Sequence, residues 1–198
     1  MAKLHSRDPS SPSFWNERFE KGFTPWDKGG VPAALADFVV RAGRPLRTLI
    51  PGCGAAYELA YLSEAHWEST AIDFSPVAVA TARAAVGKWR DRIVEADFFK
   101  WEPERPLELI YERAFLCALP RAMWPQVAQR WAAMLAPGAL LAGFFVFDDN
   151  LKGPPFGTSP AALDELLSPY FACIDNTAVA DSIAVFEGKE RWQVWQRK

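Results

Sequence analysis

The chain has 198 residues, half of them hydrophobic, with 22 basic and 24 acidic side chains and a net charge of −2. That length supports one domain with a full core, and that composition excludes a disordered chain. The slightly acidic balance offers no field for nucleic acid, and no apolar run is long enough to span a bilayer.

Residues 1–13 are rich in Ser and Pro and lack an apolar signal core, so they read as a mobile tail of a cytoplasmic protein. Residues 13–20 follow as a short helix with Ser13 as N-cap, and Phe14, Trp15 and Phe19 at helical spacing. Residues 22–30 are a loop carrying Phe23, Pro25 and Trp26. A second helix over 32–41 opens on a proline. Strand and helix then alternate: strand 47–52, helix 55–65, strand 68–73, and a helix from Pro76 to about residue 88 capped by Ser75. Strands 91–97 and 107–113 come next. Residues 121–136 form an amphipathic helix with Trp124, Val127, Ala128, Trp131 and Leu135 on one face. Pro137-Gly138 breaks it, and 139–147 is a nearly continuous apolar strand suited to the centre of a covered sheet. Ser159 caps a helix over 160–167. Strands 171–179 and 190–196 close the chain as an antiparallel pair. This alternation predicts a doubly wound α/β sheet. Cys53, Cys117 and Cys173 fit a reducing compartment with no disulfide framework.

The chemistry concentrates where Leu49-Ile50-Pro51 runs into Gly52-Cys53-Gly54. Gly52 permits a sharp turn and close approach of a ligand to bare backbone. Gly54 opens a helix whose N–H groups face that ligand. Asp73 ends the next strand, where a carboxylate accepts hydrogen bonds from both hydroxyls of a ribose. A dinucleotide fingerprint wants glycine at position 57, but Tyr57 stands there and would obstruct a pyrophosphate. A nucleoside cofactor without a pyrophosphate avoids the conflict, and S-adenosylmethionine is one. Asp97 ends a third strand with Phe98 after it, and the two suit an adenine amino group and ring. A nicotinamide-dependent oxidoreductase on the same kind of sheet is the alternative. It is disfavoured by Tyr57 and by the lack of a Tyr-x-x-x-Lys or histidine pair.

These residues make the chain similar to class I S-adenosylmethionine-dependent methyltransferases. Within them it resembles the thiopurine S-methyltransferase family, nearest the plant-type thiol and halide methyltransferase branch. The matching pieces are Phe14-Trp15, Thr24-Pro25-Trp26-Asp27, residues 49–54, Ile72-Asp73-Phe74-Ser75, Asp97-Phe98-Phe99, residues 109–113 and 115–119, Gly153-Pro154-Pro155-Phe156, and Gly188-Lys189-Glu190-Arg191. Pro51 is diagnostic, because most class I members carry an acidic residue there. The resemblance implies a mostly parallel, seven-stranded Rossmann-like sheet over residues 46–198, with helices on both faces and a helical lid over 14–45. It implies cofactor contacts from Trp15, Phe19, Trp26, Gly52, Gly54, Asp73, Phe74, Asp97, Phe98 and Arg113, and an acceptor loop at residues 153–156. Many plant-type members lack Arg113, which could instead pair with Glu112 or a nearby Asp.

The expected reaction is in-line displacement of a sulfonium methyl by a small soft nucleophile, a thiol foremost, with halide ions and chalcogen oxyanions as alternatives. Such a reaction needs a dry pocket and positioning more than acid–base groups. No catalytic side chain is therefore assigned, and neither His5 nor His66 has a role. Asp148-Asp149-Asn150 reads as a hydrated turn and not a metal site. A monomer acting on a small molecule, without nucleic acid or membrane partners, is expected.

Overall fold

The computed structural model describes residues 4–150 and 152–198, so the first three residues of the expected tail lie outside it. Helices α1 (Pro12–Glu20) and α2 (Ala33–Arg41) precede the sheet, the first with a proline in its opening turn. Next come β1 (Thr48–Pro51), α3 (Tyr57–Glu64), β2 (Ser69–Asp73) and α4 (Pro76–Ala85). The Ser75 hydroxyl accepts from the Ala78 N–H, the N-cap expected from the sequence. α4 stops short of residue 88 because Gly87 turns left-handed at φ +57° and starts a 3-10 segment. Strands β3 (Ile93–Glu95) and β4 (Leu107–Arg113) lead to α5 (Trp124–Met134) and β5 (Leu135–Val146). α6 (Pro160–Leu167), β6 (Phe171–Ala178) and β7 (Glu190–Arg197) complete the chain.

Several boundaries are corrected: α1 starts at Pro12 with Ser11, not Ser13, in the N-cap position, α3 starts at Tyr57 after a left-handed Ala56 and is not opened by Gly54, and β3 stops at Glu95, short of Asp97. Pro137-Gly138 does not separate helix from strand: α5 ends at Met134 and β5 starts at Leu135. The pair is exposed inside β5, opposite a register shift between Leu107 and Leu109, where a residue without an N–H breaks no regular ladder.

The seven strands lie in the order β3-β2-β1-β4-β5-β7-β6. β1 to β5 are parallel, and β7 inserts antiparallel between β5 and β6. Neighbouring residues along each inner strand feed opposite layers, as strand geometry requires. Leu49, Ile72, Ile110 and Leu141 pack with Trp124, Trp131 and Leu163 from α5 and α6. Ile50, Ala71, Leu109 and Ala142 pack with Leu35, Leu59 and Val79 from α2, α3 and α4. The sheet is thus covered on both faces, which is why its strands read as apolar runs. Successive connections leave β1 and β4 in opposite directions, so a crevice opens above their carboxyl ends. Among the described residues no helix is long and apolar enough to cross a membrane.

Candidate active site

A cavity of about 840 Å³ occupies that crevice, roofed by the N-terminal segment. Its size falls in the range of small-molecule sites, roughly 300–1,000 Å³. All ten residues singled out from the sequence, Trp15 to Arg113, line it.

The floor is the turn after β1. Gly52 and Gly54 take φ of +59° and +52°, and Ala56 follows at +56°. The Cys53 N–H donates to Ile72 O at 3.2 Å, tying this turn to β2. A Cβ on Gly52 would meet the ring of Phe115, so bare backbone is required there.

Asp73 ends β2 with 7% of its surface exposed. One carboxylate oxygen accepts the Ser75 N–H at 2.9 Å and the other the Gly54 N–H at 3.4 Å. No cationic side chain lies within salt-bridge distance of it among the described residues. Burial therefore wins over these backbone donors and pushes its pKa up to about 6. A carboxyl in this state suits neutral donors such as a diol. Asp97 stands two residues past β3, accepting the Phe99 N–H at 2.9 Å with Lys100 at 3.3 Å. Phe98 packs edge-on against Phe115 with centroids 4.8 Å apart.

The roof is aromatic. Trp26 sits between Trp15 and Phe19, with centroid distances of 5.4 and 6.1 Å. α1 is pinned beside Asp73 by the Ser75 hydroxyl, which donates to Asn16 Oδ1 at 2.6 Å. Residues 4–10 form no helix or strand, yet they are tied to α1. The Glu17 carboxylate accepts the N–H groups of His5 and Ser6 at 2.8–2.9 Å, and the Trp15 indole N–H donates to Pro9 O at 2.8 Å. Leu4, Ser6, Arg7 and Ser10 from this segment line the cavity. Polar composition alone marks such a segment as a tail; its anchors are backbone groups, which leave no trace in residue type.

Arg113, at the end of β4, is bonded to Glu190 at the start of β7 with a distance of 3.1 Å, and both side chains are largely buried. Its guanidinium also lies 4.2 Å from the Phe144 ring centroid. The partner is Glu190, not the neighbouring Glu112. The Glu112 carboxylate turns inward, accepting the N–H groups of Phe115 and Leu116 at 3.2–3.3 Å. Burial drives its pKa up to about 8, against those two bonds. It shapes the turn that presents Phe115, a residue the sequence quoted in a motif but gave no role.

Neither histidine lines the cavity. Burial pushes the Cys53 and Cys117 thiols up, so neither is a ready nucleophile. Asp148 is engaged by Lys189 at 2.7 Å and by the Asn150 N–H at 2.9 Å. Pro154 and Pro155 reach the cavity from the loop after β5.

Comparison with known proteins gives this geometry a context. A family model described as Thiopurine S-methyltransferase (TPMT) matches residues 10–198. The chain is 29% identical to a probable thiol methyltransferase 2 of Arabidopsis thaliana, covering 90% of this chain and 84% of that protein. It is 30% identical to a thiopurine S-methyltransferase of Shewanella loihica, covering 81% and 83% of the two chains. Among solved structures, a Burkholderia thailandensis 1,6-didemethyltoxoflavin-N1-methyltransferase superposes with a TM-score of 0.76 at 18% identity, over 100% of this chain and 93% of the other. At that identity the likeness concerns the fold.

Proposed function

The chain belongs to the thiopurine S-methyltransferase family, and from that premise we propose that it methylates small acidic thiols that bind as thiolates. The enzyme is an S-adenosylmethionine-dependent methyltransferase, as its family and curated relatives are. The cofactor, when bound, supplies an electrophilic methyl group on a sulfonium.

The residues present fit it. Gly52 offers bare backbone, and Asp73 is a buried carboxyl answered only by N–H groups. Asp73 would accept both ribose hydroxyls, with Gly54 and Phe74 beside it. Asp97 would take the adenine amino group and Phe98 its ring. Trp15, Phe19 and Trp26 would close over the reacting end as a lid formed by residues 14–45, with the Rossmann-like core beyond it. Aromatic walls exclude water, which otherwise favours separated charges over the less polar transition state of a thiolate and a sulfonium. A ring beside the sulfonium adds about 0.5–2 kcal/mol of attraction. Holding sulfur and methyl in line accounts for roughly 7–11 kcal/mol of the barrier.

The observation that carries the acceptor class is the set of cationic side chains lining the cavity. Among the described residues no histidine lines the cavity, and an acceptor that arrives ionised needs no base there. Arg7 and Arg18 line the cavity, and among the described residues no carboxylate lies within 4 Å of either. The other two lining cations, Lys28 and Arg113, are paired with Asp181 and Glu190. Arg18 is held by the Phe14 carbonyl at 2.8 Å and by the Phe14 ring, groups that leave its charge unneutralised, so it and Arg7 favour an anion. Halides and chalcogen oxyanions share that chemistry and form the second reading.

The test is a methyl-transfer assay over aromatic thiols, aliphatic thiols, halides and oxyanions, read as S-adenosylhomocysteine formed. At fixed pH, kcat/KM should rise as thiol pKa falls toward the assay pH, where ionisation saturates. Preference for a neutral, high-pKa thiol would overturn this reading. The protein is proposed to act as a cytoplasmic monomer.

A further inference from the structure

Four carboxyl groups line the cavity: Asp27, Glu58, Asp73 and Asp97. Three are held by close donors. Asp27 accepts the Gly29 N–H at 2.7 Å, Asp73 the Ser75 N–H at 2.9 Å, and Asp97 the Phe99 N–H at 2.9 Å. Glu58 differs. It stands in the first turn of α3 with 9% of its surface exposed, and its side-chain partner is the Tyr111 hydroxyl at a long 3.4 Å. Arg113 is the cation whose charge reaches it, and that guanidinium is bonded to Glu190. Burial raises the pKa of Glu58, and its own N–H, Arg113 and Tyr111 oppose this only in part. A buried carboxyl without its own counter-charge is costly unless a cation comes from elsewhere.

Its place in the sheet says what that cation is. Asp97 follows β3, Asp73 ends β2, and Glu58 follows the turn after β1; the three strands are adjacent in that order. Strands lie roughly 4.8 Å apart, so the three carboxyls mark successive stations across the crevice. With adenine at the first and ribose at the second, the amino-acid end of the cofactor falls over the third. That end carries an α-ammonium group.

Resting on the cofactor site assigned above, we propose that the Glu58 carboxylate is the counter-ion of the α-ammonium group of S-adenosylmethionine. Pro51, on the same strand end, carries no charge that could substitute. Asp27 is the rival carboxyl, since it lines the cavity from the lid.

Titration calorimetry tests this with three neutral-sulfur ligands: S-adenosylhomocysteine, its analogue lacking the α-amino group, and 5′-methylthioadenosine, which lacks the whole tail. Wild-type protein should prefer S-adenosylhomocysteine to the deaminated analogue by on the order of 30-fold or more, the cost of unpairing a buried charge. Glu58→Gln should weaken S-adenosylhomocysteine by a similar factor while leaving 5′-methylthioadenosine within about twofold of wild type. Should Glu58→Gln fail to fold, Glu58→Asp keeps the charge and should retain part of the preference for the amino group. Unchanged S-adenosylhomocysteine affinity in Glu58→Gln overturns the proposal, as does an equal loss for 5′-methylthioadenosine. So does a loss confined to Asp27→Asn. Wild-type protein that binds none of the three ligands would overturn the cofactor site together with this inference. Binding of 5′-methylthioadenosine without discrimination of the amino group overturns the inference alone.

Discussion

The Phe115 ring faces Gly52 so closely that a Cβ on Gly52 would stand 2.7 Å from Phe115 Cδ2. Gly52 also holds φ at +59°, a region L side chains rarely adopt. Gly52→Ala therefore combines left-handed strain of about 1–2 kcal/mol with overpacking of about 1–3 kcal/mol. We expect urea denaturation to show a loss of about 2–5 kcal/mol, and calorimetry at least a tenfold loss of S-adenosylhomocysteine affinity. Wild-type values in both would mean that the turn has room to spare.

Asp73 predicts a pH profile for binding. Its pKa in the unliganded protein is about 6, raised by burial. Below that value the carboxyl is neutral and accepts the ribose hydroxyls poorly. Affinity for S-adenosylhomocysteine should rise as pH passes from 5 to 7, with a midpoint near the value of 6 held by Asp73. Asp73→Asn should bind weakly with no such rise. A wild-type profile flat over this range would remove Asp73 from the ribose site.

Glu112 predicts the stability profile. A carboxyl whose folded pKa is raised favours the folded state while protonated. Its contribution is full below the unfolded value of 4.5 and is lost as pH rises toward about 8. Between pH 4.5 and 7 this amounts to roughly 3 kcal/mol. Glu112→Gln should flatten that decline, measured by urea unfolding across pH. An equally steep decline in the variant would assign it to other groups.

The Arg113–Glu190 pair predicts a double-mutant cycle. Removing one partner leaves the other charge buried, at roughly 3–5 kcal/mol. Arg113→Met and Glu190→Leu should each show that loss by denaturation, and the double variant should recover most of it. Single losses below about 1 kcal/mol would mark the pair as solvated.

The N-terminal segment predicts a truncation result that composition alone would not. A variant starting at residue 11 loses the Pro9 carbonyl that fixes the Trp15 indole and the side chains of Leu4, Ser6 and Arg7 at the cavity. Its far-UV circular dichroism should match wild type while KM for the thiol acceptor rises several-fold. Removal through Trp26 should abolish activity. An unchanged KM in the shorter truncation would show that residues 4–10 cover the cavity without contributing to acceptor binding.

Much of this site was legible because its parts sit at ends of periodic elements. Gly52, Asp73 and Asp97 each follow an apolar run, and apolar runs announce strands. Their convergence followed from the rule that ligands lie at the carboxyl ends of parallel strands. Leu107–Arg113 and Pro160–Leu167 matched the structure residue for residue, since both have clear boundary signals. Three features were hidden. Glu58 looks like any helix-surface acid in its first turn, whereas the fold buries it beside the Tyr111 hydroxyl of β4. Glu190 is distant from Arg113 in the chain, and no local pattern links them. The start of β5 was misplaced because Pro137-Gly138 is a strong breaker, whereas a bulge accommodates it.

The ion pair between β4 and β7 joins residues 77 positions apart. One wall of the cavity therefore does not exist until the antiparallel strand has docked beside β5. The same dependence persists after folding. Any transient release of β7 opens the cavity, and a bound ligand that needs the wall closes it again. Amide protons of Trp192 and Val194 should accordingly exchange more slowly in the liganded enzyme, although neither residue lines the cavity.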